Sequence, residues 1–203
     1  MGNIARFDVV GIAHEYDIHT FVETGTGKGE SLSFALGCFD DLLSCEVHIV
    51  LATRAMTRFD DEAKIRVFKQ DSLSFLTDVC RILPRRQPVM FWLDAHFPGA
   101  DYGLARFDAE PDAYLRLPLQ YELDVIRRKR GNRDVILIDD ARIWLDGPFQ
   151  HGNLPTELRP LCPKERNIDF IHELFSGTHT IDVLYDHEGY IQVMPREVFG
   201  GAG

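Results

Sequence analysis

The sequence predicts an α/β fold in which a mostly parallel sheet of seven strands ends in an antiparallel hairpin. Short apolar runs alternate with helical periodicity along most of the chain. The runs are continuously apolar, which is typical of strands that are buried on both faces of a parallel sheet. Near the end of the chain, two strand patterns are separated only by residues 186–189, which is too short for a parallel crossover.

Five parallel strands are predicted first, at residues 20–23, 47–51, 65–68, 89–93 and 135–138. Helical spacing of apolar residues predicts helices between them, from Leu32 to Phe39, Thr53 to Arg58, Leu76 to Leu83 and Leu119 to Ile126. Pro118 suits the first turn of the last of these helices. A helix face at Ile168, Ile171 and Phe175 then precedes the hairpin strands at residues 181–185 and 190–194.

Length and composition restrict the classes of protein that this chain can form. The 203 residues suit a single domain, 1–203, and 45% hydrophobic residues provide a core. Because 22 Lys and Arg stand against 32 Asp and Glu, we expect no nucleic-acid partner. No apolar run approaches the ~18 residues of a membrane span, and the first ten residues lack the order of a signal peptide. We therefore expect a cytoplasmic protein with no membrane partner.

Two long connections interrupt the predicted pattern, at residues 97–117 and 145–166. Connections of this length in a compact domain are often lids or binding loops, so we expect substrate specificity to lie there. The four cysteines never form a close pair, which predicts free thiols rather than a zinc ribbon or a redox pair.

A glycine-rich loop, residues 23–29, follows the first predicted strand and opens the first helix. It is not a Walker loop, because Lys28 is followed by Gly29 rather than by Ser or Thr. It is not the dinucleotide fingerprint either, because Glu30 occupies the position of the third glycine. The pattern that fits is an acidic residue, Glu23, followed by glycines at alternate positions.

This pattern resembles the first motif of class I S-adenosylmethionine-dependent methyltransferases, and the resemblance extends over about residues 18–195. It implies a Rossmann-like, doubly wound sheet and S-adenosylmethionine as cofactor. A carboxylate at the first strand end would attract the ammonium group, and an acidic residue after the third strand would lie near the adenine. The implied cofactor-binding residues are Glu23, Thr24, Gly25, Thr26, Gly27, Gly29, Ser31, Asp71 and Ser72.

One position departs from the family pattern. The family usually has an acidic residue at the end of the second strand, where it binds the ribose hydroxyls. The predicted second strand ends at Leu51, and Glu46 lies at its opposite end. Three explanations remain open: Thr53, water or backbone replaces the carboxylate, the cofactor binds weakly, or the cofactor is a different one.

Asp94 follows the fourth predicted strand, and Asp139 and Asp140 follow the fifth. The carboxyl ends of parallel strands share one edge of the sheet, so these carboxylates are expected to meet there with His96 nearby. Carboxylate oxygens favour Mg²⁺, Ca²⁺ or Mn²⁺. Alternatively, the aspartates cap helices or pair with Arg142.

The aspartates with His96 resemble, more narrowly, the site of metal-dependent sugar and macrolide O-methyltransferases and of cephalosporin-hydroxylase-like proteins. That resemblance implies Asp94, Asp139 and Asp140 as Mg²⁺ ligands, His96 as general base and a small hydroxylated substrate. For His96, a metal ligand or an ordinary loop histidine is the alternative. The competing functions are a metal-dependent hydrolase and a non-catalytic binding module. A homodimer is also expected, on the basis of the family resemblance alone.

Two other groups of residues are expected to be structural. The seven histidines other than His96 are scattered and are interpreted as structural or solvent-exposed. The basic run at residues 127–130 is interpreted as a solvated helix end, where positive charge complements the helix dipole.

Overall fold

A computed structural model describes residues 3–197 of the chain. At the centre of the protein lies one β-sheet of seven strands. Its strands are β1 (Thr20–Thr24), β2 (Asp41–Glu46), β3 (Ile65–Lys69), β4 (Val89–Leu93), β5 (Val135–Ile138), β6 (His179–Leu184) and β7 (Tyr190–Pro195). They are arranged in the order β3-β2-β1-β4-β5-β7-β6. The helices are α1 (Val9–Glu15), α2 (Glu30–Ala35), α3 (Ile49–Arg58), α4 (Ser72–Ile82), α5 (Ala113–Arg116), α6 (Leu119–Lys129) and α7 (Asp169–Phe175).

The predicted topology is confirmed. Strands β1 to β5 pair parallel with one another, and β7 pairs antiparallel with both β5 and β6. The strand order reverses between β1 and β4, which is the point where open sheets of this type bind ligands. Strands β4 and β5 are neighbours as predicted, so Asp94 and Asp139 follow adjacent strands.

The prediction of the second strand was wrong. Residues 47–51 do not form a strand, because α3 begins at Ile49. Ile49 and Val50 lie on its exposed side, whereas Leu51 is buried with 1% of its surface exposed. The true second strand is five residues earlier in the chain and ends at Glu46. The acidic residue that seemed to be missing is therefore present at the carboxyl end of β2.

Alternate residues of the central strands pack into two cores on the two faces of the sheet. In β4, Phe91 and Leu93 face the core formed with α4, α6 and α7, whereas Met90 and Trp92 face the core formed with α1 and α2. This two-sided burial explains the continuous apolar runs in the sequence. The same burial holds in place the strand ends on or next to which Glu23, Glu46, Asp94 and Asp139 lie.

The basic run at residues 127–130 is not wholly solvated, which corrects the sequence interpretation. The Arg130 side chain is fully buried and pairs with Asp134 at 2.9 Å. Its guanidinium also donates to backbone carbonyl oxygens of Leu83, Pro84 and Gln87. Arg130 thus ties the end of α6 to the connection between α4 and β4.

The two long connections are folded against the sheet. The backbone N–H of Phe97 donates to the carbonyl oxygen of Arg116 at 2.9 Å, which closes the first loop. The Arg116 side chain donates to Leu161 in the second loop. All four cysteines are free, as predicted. Among the described residues, no helix is long and apolar enough to cross a membrane.

Candidate functional site

The glycine loop connects β1 to α2 and lies against the end of β4. Gly25 has a φ of 82° and Gly27 a φ of 54°, in the left-handed region that favours glycine. A Cβ on Gly25 would overlap the carbonyl oxygen of Asp94, and one on Gly27 would overlap the hydroxyl of Tyr102. The two glycines are therefore required both by backbone conformation and by close neighbours.

Glu46 fixes the glycine loop from the neighbouring strand. Its carboxylate accepts a hydrogen bond from the backbone N–H of Gly27 at 2.9 Å and from that of His48 at 2.8 Å. Burial raises the pKa of Glu46, and these two backbone donors oppose that shift. Glu46 is not among the residues predicted to bind a cofactor, because the predicted second strand lies five residues too late in the chain.

A cleft of about 660 Å³ opens at the point where the strand order reverses. We call it the main cleft. Of the residues that were predicted to bind a cofactor, its lining includes Gly25, Gly27, Asp71 and Ser72. Glu46, Asp94, His96 and Tyr102 also line it. Thr26 and Ser31 line a neighbouring opening on the other side of Gly25, whereas Glu23, Thr24 and Gly29 line neither.

Glu23 lies beneath the glycine loop rather than in the main cleft. Its carboxyl group accepts hydrogen bonds from the hydroxyls of Ser31 and Ser44. Burial raises the pKa of Glu23 to about 8, against the effect of these two hydroxyls. At neutral pH the side chain is therefore mostly a neutral acid that links β1, β2 and α2.

Asp71 and Ser72 join β3 to α4 at the rim of the main cleft. The Asp71 side chain accepts a hydrogen bond from the backbone N–H of Ser74 at 2.9 Å, which caps the helix. One oxygen of Asp71 is used in this way, and the residue still lines the cleft. The acidic residue after the third strand thus lies at the main cleft, and its predicted position near an adenine stays a prediction.

His96 lies among three carboxylates. Its Nε2 is 2.9 Å from Asp140 Oδ2 and 3.7 Å from Asp101 Oδ2, and its Nδ1 is 3.4 Å from Asp94 Oδ1. Burial by itself lowers the pKa of His96, but Asp140, Asp94 and Asp101 outweigh it and raise the pKa to about 10. The imidazole is therefore protonated at neutral pH.

The three predicted aspartates lie in different surroundings. Burial and the charge of Asp139 raise the pKa of Asp94. Burial would also raise the pKa of Asp140, but the hydrogen bond from His96, the charge of His96 and that of Arg142 together lower it. Asp140 has a φ of 52° and lies 3.5 Å from Arg142, the alternative partner considered for it. Asp139 is buried, with no hydrogen-bond partner for either carboxylate oxygen, and burial followed by the charge of Asp140 raises its pKa to about 7.

The predicted metal ligands supply oxygen donors but do not converge. Among residues 3–197, the group whose ligand atoms all lie within 4.8 Å of one another is His151, His187 and Glu188. Asp94, Asp139 and Asp140 do not form such a group. His96 contacts both Asp94 and Asp140, which are two of the three predicted ligands.

Two further pockets lie near His96, and His96 itself lines the first of them. An inner pocket of about 250 Å³ is lined by His96, Asp139, Trp144 and Glu122 of α6. Glu122 is 1% exposed, and burial raises its pKa to about 7. The sequence analysis missed it, although a glutamate stands on the apolar face formed by Leu119, Leu123 and Ile126.

An outer pocket of about 750 Å³ lies between the two long connections and reaches Asp140. Its apolar wall is formed by Phe97, Phe107, Ile143, Leu154, Pro155 and Leu158. Its polar lining consists of Asp101, Asp140, Arg142 and Glu157. The main cleft and the outer pocket share Phe97 and Asp101, so the two spaces adjoin beside His96.

No family model matches the chain, and no curated protein matches it. Solved structures with a similar fold do exist. A protein from Staphylococcus aureus described as a caffeoyl-CoA O-methyltransferase matches with a TM-score of 0.63 and 13% identity, over 96% of this chain and 85% of that one.

Two further similar structures were solved with a ligand. The O-methyltransferase TomG from Streptomyces achromogenes, in complex with S-adenosylmethionine, matches with a TM-score of 0.57 and 14% identity, over 93% of this chain and 78% of that one. The S-adenosylhomocysteine-bound methyltransferase PaMTH1 from Podospora anserina matches with a TM-score of 0.56 and 12% identity, over 93% and 76%. At these identities the likeness concerns the fold. This chain has the fold of the class I S-adenosylmethionine-dependent methyltransferases.

Proposed function

We propose that this protein is a methyltransferase that uses S-adenosylmethionine to methylate an oxygen atom of a small hydroxylated molecule. One observation carries the proposal. The main cleft, with the glycine loop held by Glu46, adjoins the outer pocket beside His96. A methyl donor in the first space and an acceptor in the second would meet at a residue able to exchange a proton.

The lining of the main cleft suits this cofactor. Glu46 provides a carboxylate at the end of β2, where the ribose hydroxyls need acceptors, and Asp71 provides one near the adenine position. Asp94 and Asp101 add negative charge, which would favour the cationic ends of S-adenosylmethionine. Gly25 and Gly27 line the cleft with backbone atoms alone, which a nucleoside can approach closely.

Bound S-adenosylmethionine would supply a methyl group from a cationic sulfur. As the bond from carbon to sulfur breaks and the bond from carbon to oxygen forms, the acceptor hydroxyl must lose its proton. We assign that proton to Nδ1 of His96 in its neutral form, because Asp140 accepts the N–H of Nε2 at 2.9 Å and so orients the ring. General base catalysis of this kind contributes about 10²–10⁴-fold to a rate.

The outer pocket suits an acceptor with an apolar body. Phe97, Phe107 and Leu158 supply apolar contact, and Arg142 supplies a charged donor at one side. Because loops build both walls, the fold itself carries no information about the acceptor. We infer a small molecule rather than a polymer, since the pocket is bounded by both connections.

Assistance by Mg²⁺ has weaker support than the cofactor. Asp139 has two unpartnered oxygens, which suits a hard cation, but the three aspartates do not converge and His96 already neutralises two of them. We therefore derive no step through a metal. Measuring the same activity after EDTA treatment and with added Mg²⁺ tests this point.

Calorimetric titration with S-adenosylmethionine and S-adenosylhomocysteine tests the cofactor directly. We expect both to bind, and a matched titration with ATP to show no binding. Formation of S-adenosylhomocysteine is then measured against a panel of small phenols, catechols and sugars. Absence of binding by both compounds would overturn the proposal. Binding without turnover on any hydroxylated compound would retain the cofactor site and reject the acceptor class.

A further inference from the structure

A second cluster of ligating side chains lies away from the main cleft. His151 belongs to the second long connection, and His187 and Glu188 belong to the turn between β6 and β7. The backbone N–H of His151 donates to the carbonyl oxygen of His187 at 2.9 Å. The backbone N–H of His187 donates to the side chain of Gln150 at 3.2 Å. These hydrogen bonds hold two segments of the chain, distant in sequence, against each other.

The three side chains point towards a common centre. One ligand atom from each of them lies within 4.8 Å of the others. His151 Nδ1 is 3.2 Å from Glu188 Oε1, and the two imidazole rings lie with their centroids 4.6 Å apart at an angle of 65°. An ion between them would replace the contact between His151 and Glu188 with bonds to both.

The backbone conformation of His187 supports a ligand-binding role for the three side chains. Its φ of 52° lies in the left-handed region, which few residues other than glycine occupy. Such conformations persist only where the surroundings impose them, and they cluster at ligand sites. Here the conformation brings the His187 ring beside that of His151.

Two imidazoles and one carboxylate form a donor set that zinc prefers, with a fourth position open to water. Hard cations such as Mg²⁺ favour sites made of oxygen atoms alone. Glu188 is nearly buried, whereas His151 is about half exposed, so an ion can enter from solvent. We propose that His151, His187 and Glu188 form a zinc site that fastens the second long connection to the turn between β6 and β7.

The position of this zinc site gives it a structural consequence. Leu154, Pro155 and Leu158 follow His151 in the chain and form one wall of the outer pocket. Glu188 also lies 3.6 Å from Arg142, which in turn lies 3.5 Å from Asp140. A zinc ion would thus hold one wall of the outer pocket in place. It would also bind Glu188, from which the charged side chains of Arg142 and Asp140 lead to His96. The zinc site itself does not depend on the proposed methyl transfer.

Zinc titration of the full-length protein tests the proposal. The protein is treated with EDTA, dialysed and titrated with ZnCl₂ in a calorimeter, and the absorption spectrum is recorded with Co²⁺ in place of zinc. We expect one equivalent of Zn²⁺ and Co²⁺ bands typical of four-coordinate nitrogen and oxygen ligation. His151→Gln and His187→Asn should each weaken zinc binding by at least about 100-fold, more than the loss of a residue that merely supports a ligand.

Two control variants separate this site from other sources of binding. His172→Gln changes an exposed histidine on α7, and His14→Gln changes an exposed histidine on α1. Both should bind zinc as the unchanged protein does. Because asparagine tolerates the left-handed conformation, His187→Asn should remain folded, and circular dichroism checks this. Unchanged zinc affinity in both His151→Gln and His187→Asn, or no binding by the unchanged protein, would overturn the proposal.

Discussion

The carboxylate of Glu46 accepts a hydrogen bond from the backbone N–H of Gly27 at 2.9 Å, across the gap between β2 and the glycine loop. The same carboxylate accepts from His48 at the start of α3. One buried side chain therefore shapes both the glycine loop and the entry of the next helix. This contact makes Glu46 the residue through which cofactor affinity and loop geometry can be tested together.

Glu46→Gln should weaken binding of S-adenosylhomocysteine by about 10–100-fold, as measured by calorimetry. The amide has one acceptor oxygen for two backbone donors, and hydrogen bonds to a charged acceptor are worth about 1.5–3 kcal/mol each. Glu62→Gln, at an exposed position, is the matched control and should bind normally. Equal affinity in the two variants would show that Glu46 supports the loop without contributing to binding.

Gly25→Ala should lower the free energy of unfolding by about 2–4 kcal/mol. The alanine must adopt a φ of 82°, and its Cβ meets the backbone carbonyl of Asp94, which cannot move without shifting β4. Gly177→Ala is the control, because nothing lies within 4 Å of a Cβ there and its backbone is outside the left-handed region. Urea denaturation measures the free energy of unfolding of both variants. A similar decrease in the two would contradict the explanation given for Gly25.

If His96 accepts the hydroxyl proton, methyl transfer should become faster as the pH rises. The base must be neutral, and a pKa of about 10 leaves about one molecule in a thousand in that form at neutral pH. The value of kcat/KM should therefore rise about tenfold per pH unit from neutral pH to pH ~9. Asp140→Asn removes the closest carboxylate, so it should lower the pKa of His96 and move the rise to lower pH.

A rate of methyl transfer that does not change with pH would contradict the role of His96 as the base. A rate that is constant over this range, and equally constant in Asp140→Asn, would assign the proton to another group such as Asp139. An NMR titration of the His96 ring measures its pKa independently of turnover. His172→Gln serves as the control, because its profile should match that of the unchanged protein.

Arg130→Met should destabilise the fold by about 3–5 kcal/mol. The substitution leaves the nearly buried carboxylate of Asp134 without its counter-ion, and it removes the donors for three backbone carbonyls. Arg128→Met, which removes an exposed ion pair on the same helix, should cost less than about 1 kcal/mol. Thermal denaturation of the two variants compares them, and equal melting temperatures would contradict the importance of the buried pair.

Most of the sheet could be predicted because its strands are buried on both faces and therefore appear as continuous apolar runs. The exception, β2, is instructive. Asp41, Ser44 and Glu46 interrupt its apolar pattern, and the buried Ser44 hydroxyl has hydrogen-bond partners in Glu23 and Thr26. The following residues, 47–51, are rich in Val and Ile and imitate a strand. The helical state of residues 49–51 depends on packing, which the local pattern does not encode.

The candidate site could be predicted in part, for the same physical reason. Carboxylates at strand ends follow from topology, so Asp94, Asp139 and Asp140 were found. Their separation, and the position of His96 among them, depend on side-chain directions that spacing does not specify. His151 and His187 come together only through the fold, and the sequence analysis had interpreted both as structural or exposed.

Tyr102 links the first long connection to the glycine loop, which affects the order in which ligands are expected to bind. Its hydroxyl touches the glycine loop at Gly27, and its ring lies beneath the ammonium group of Lys28. The same connection supplies Phe97 and Phe107 to the outer pocket. Because this segment borders both spaces, the proposed methyl transfer is expected to follow an ordered kinetic mechanism, in which the donor binds before the acceptor.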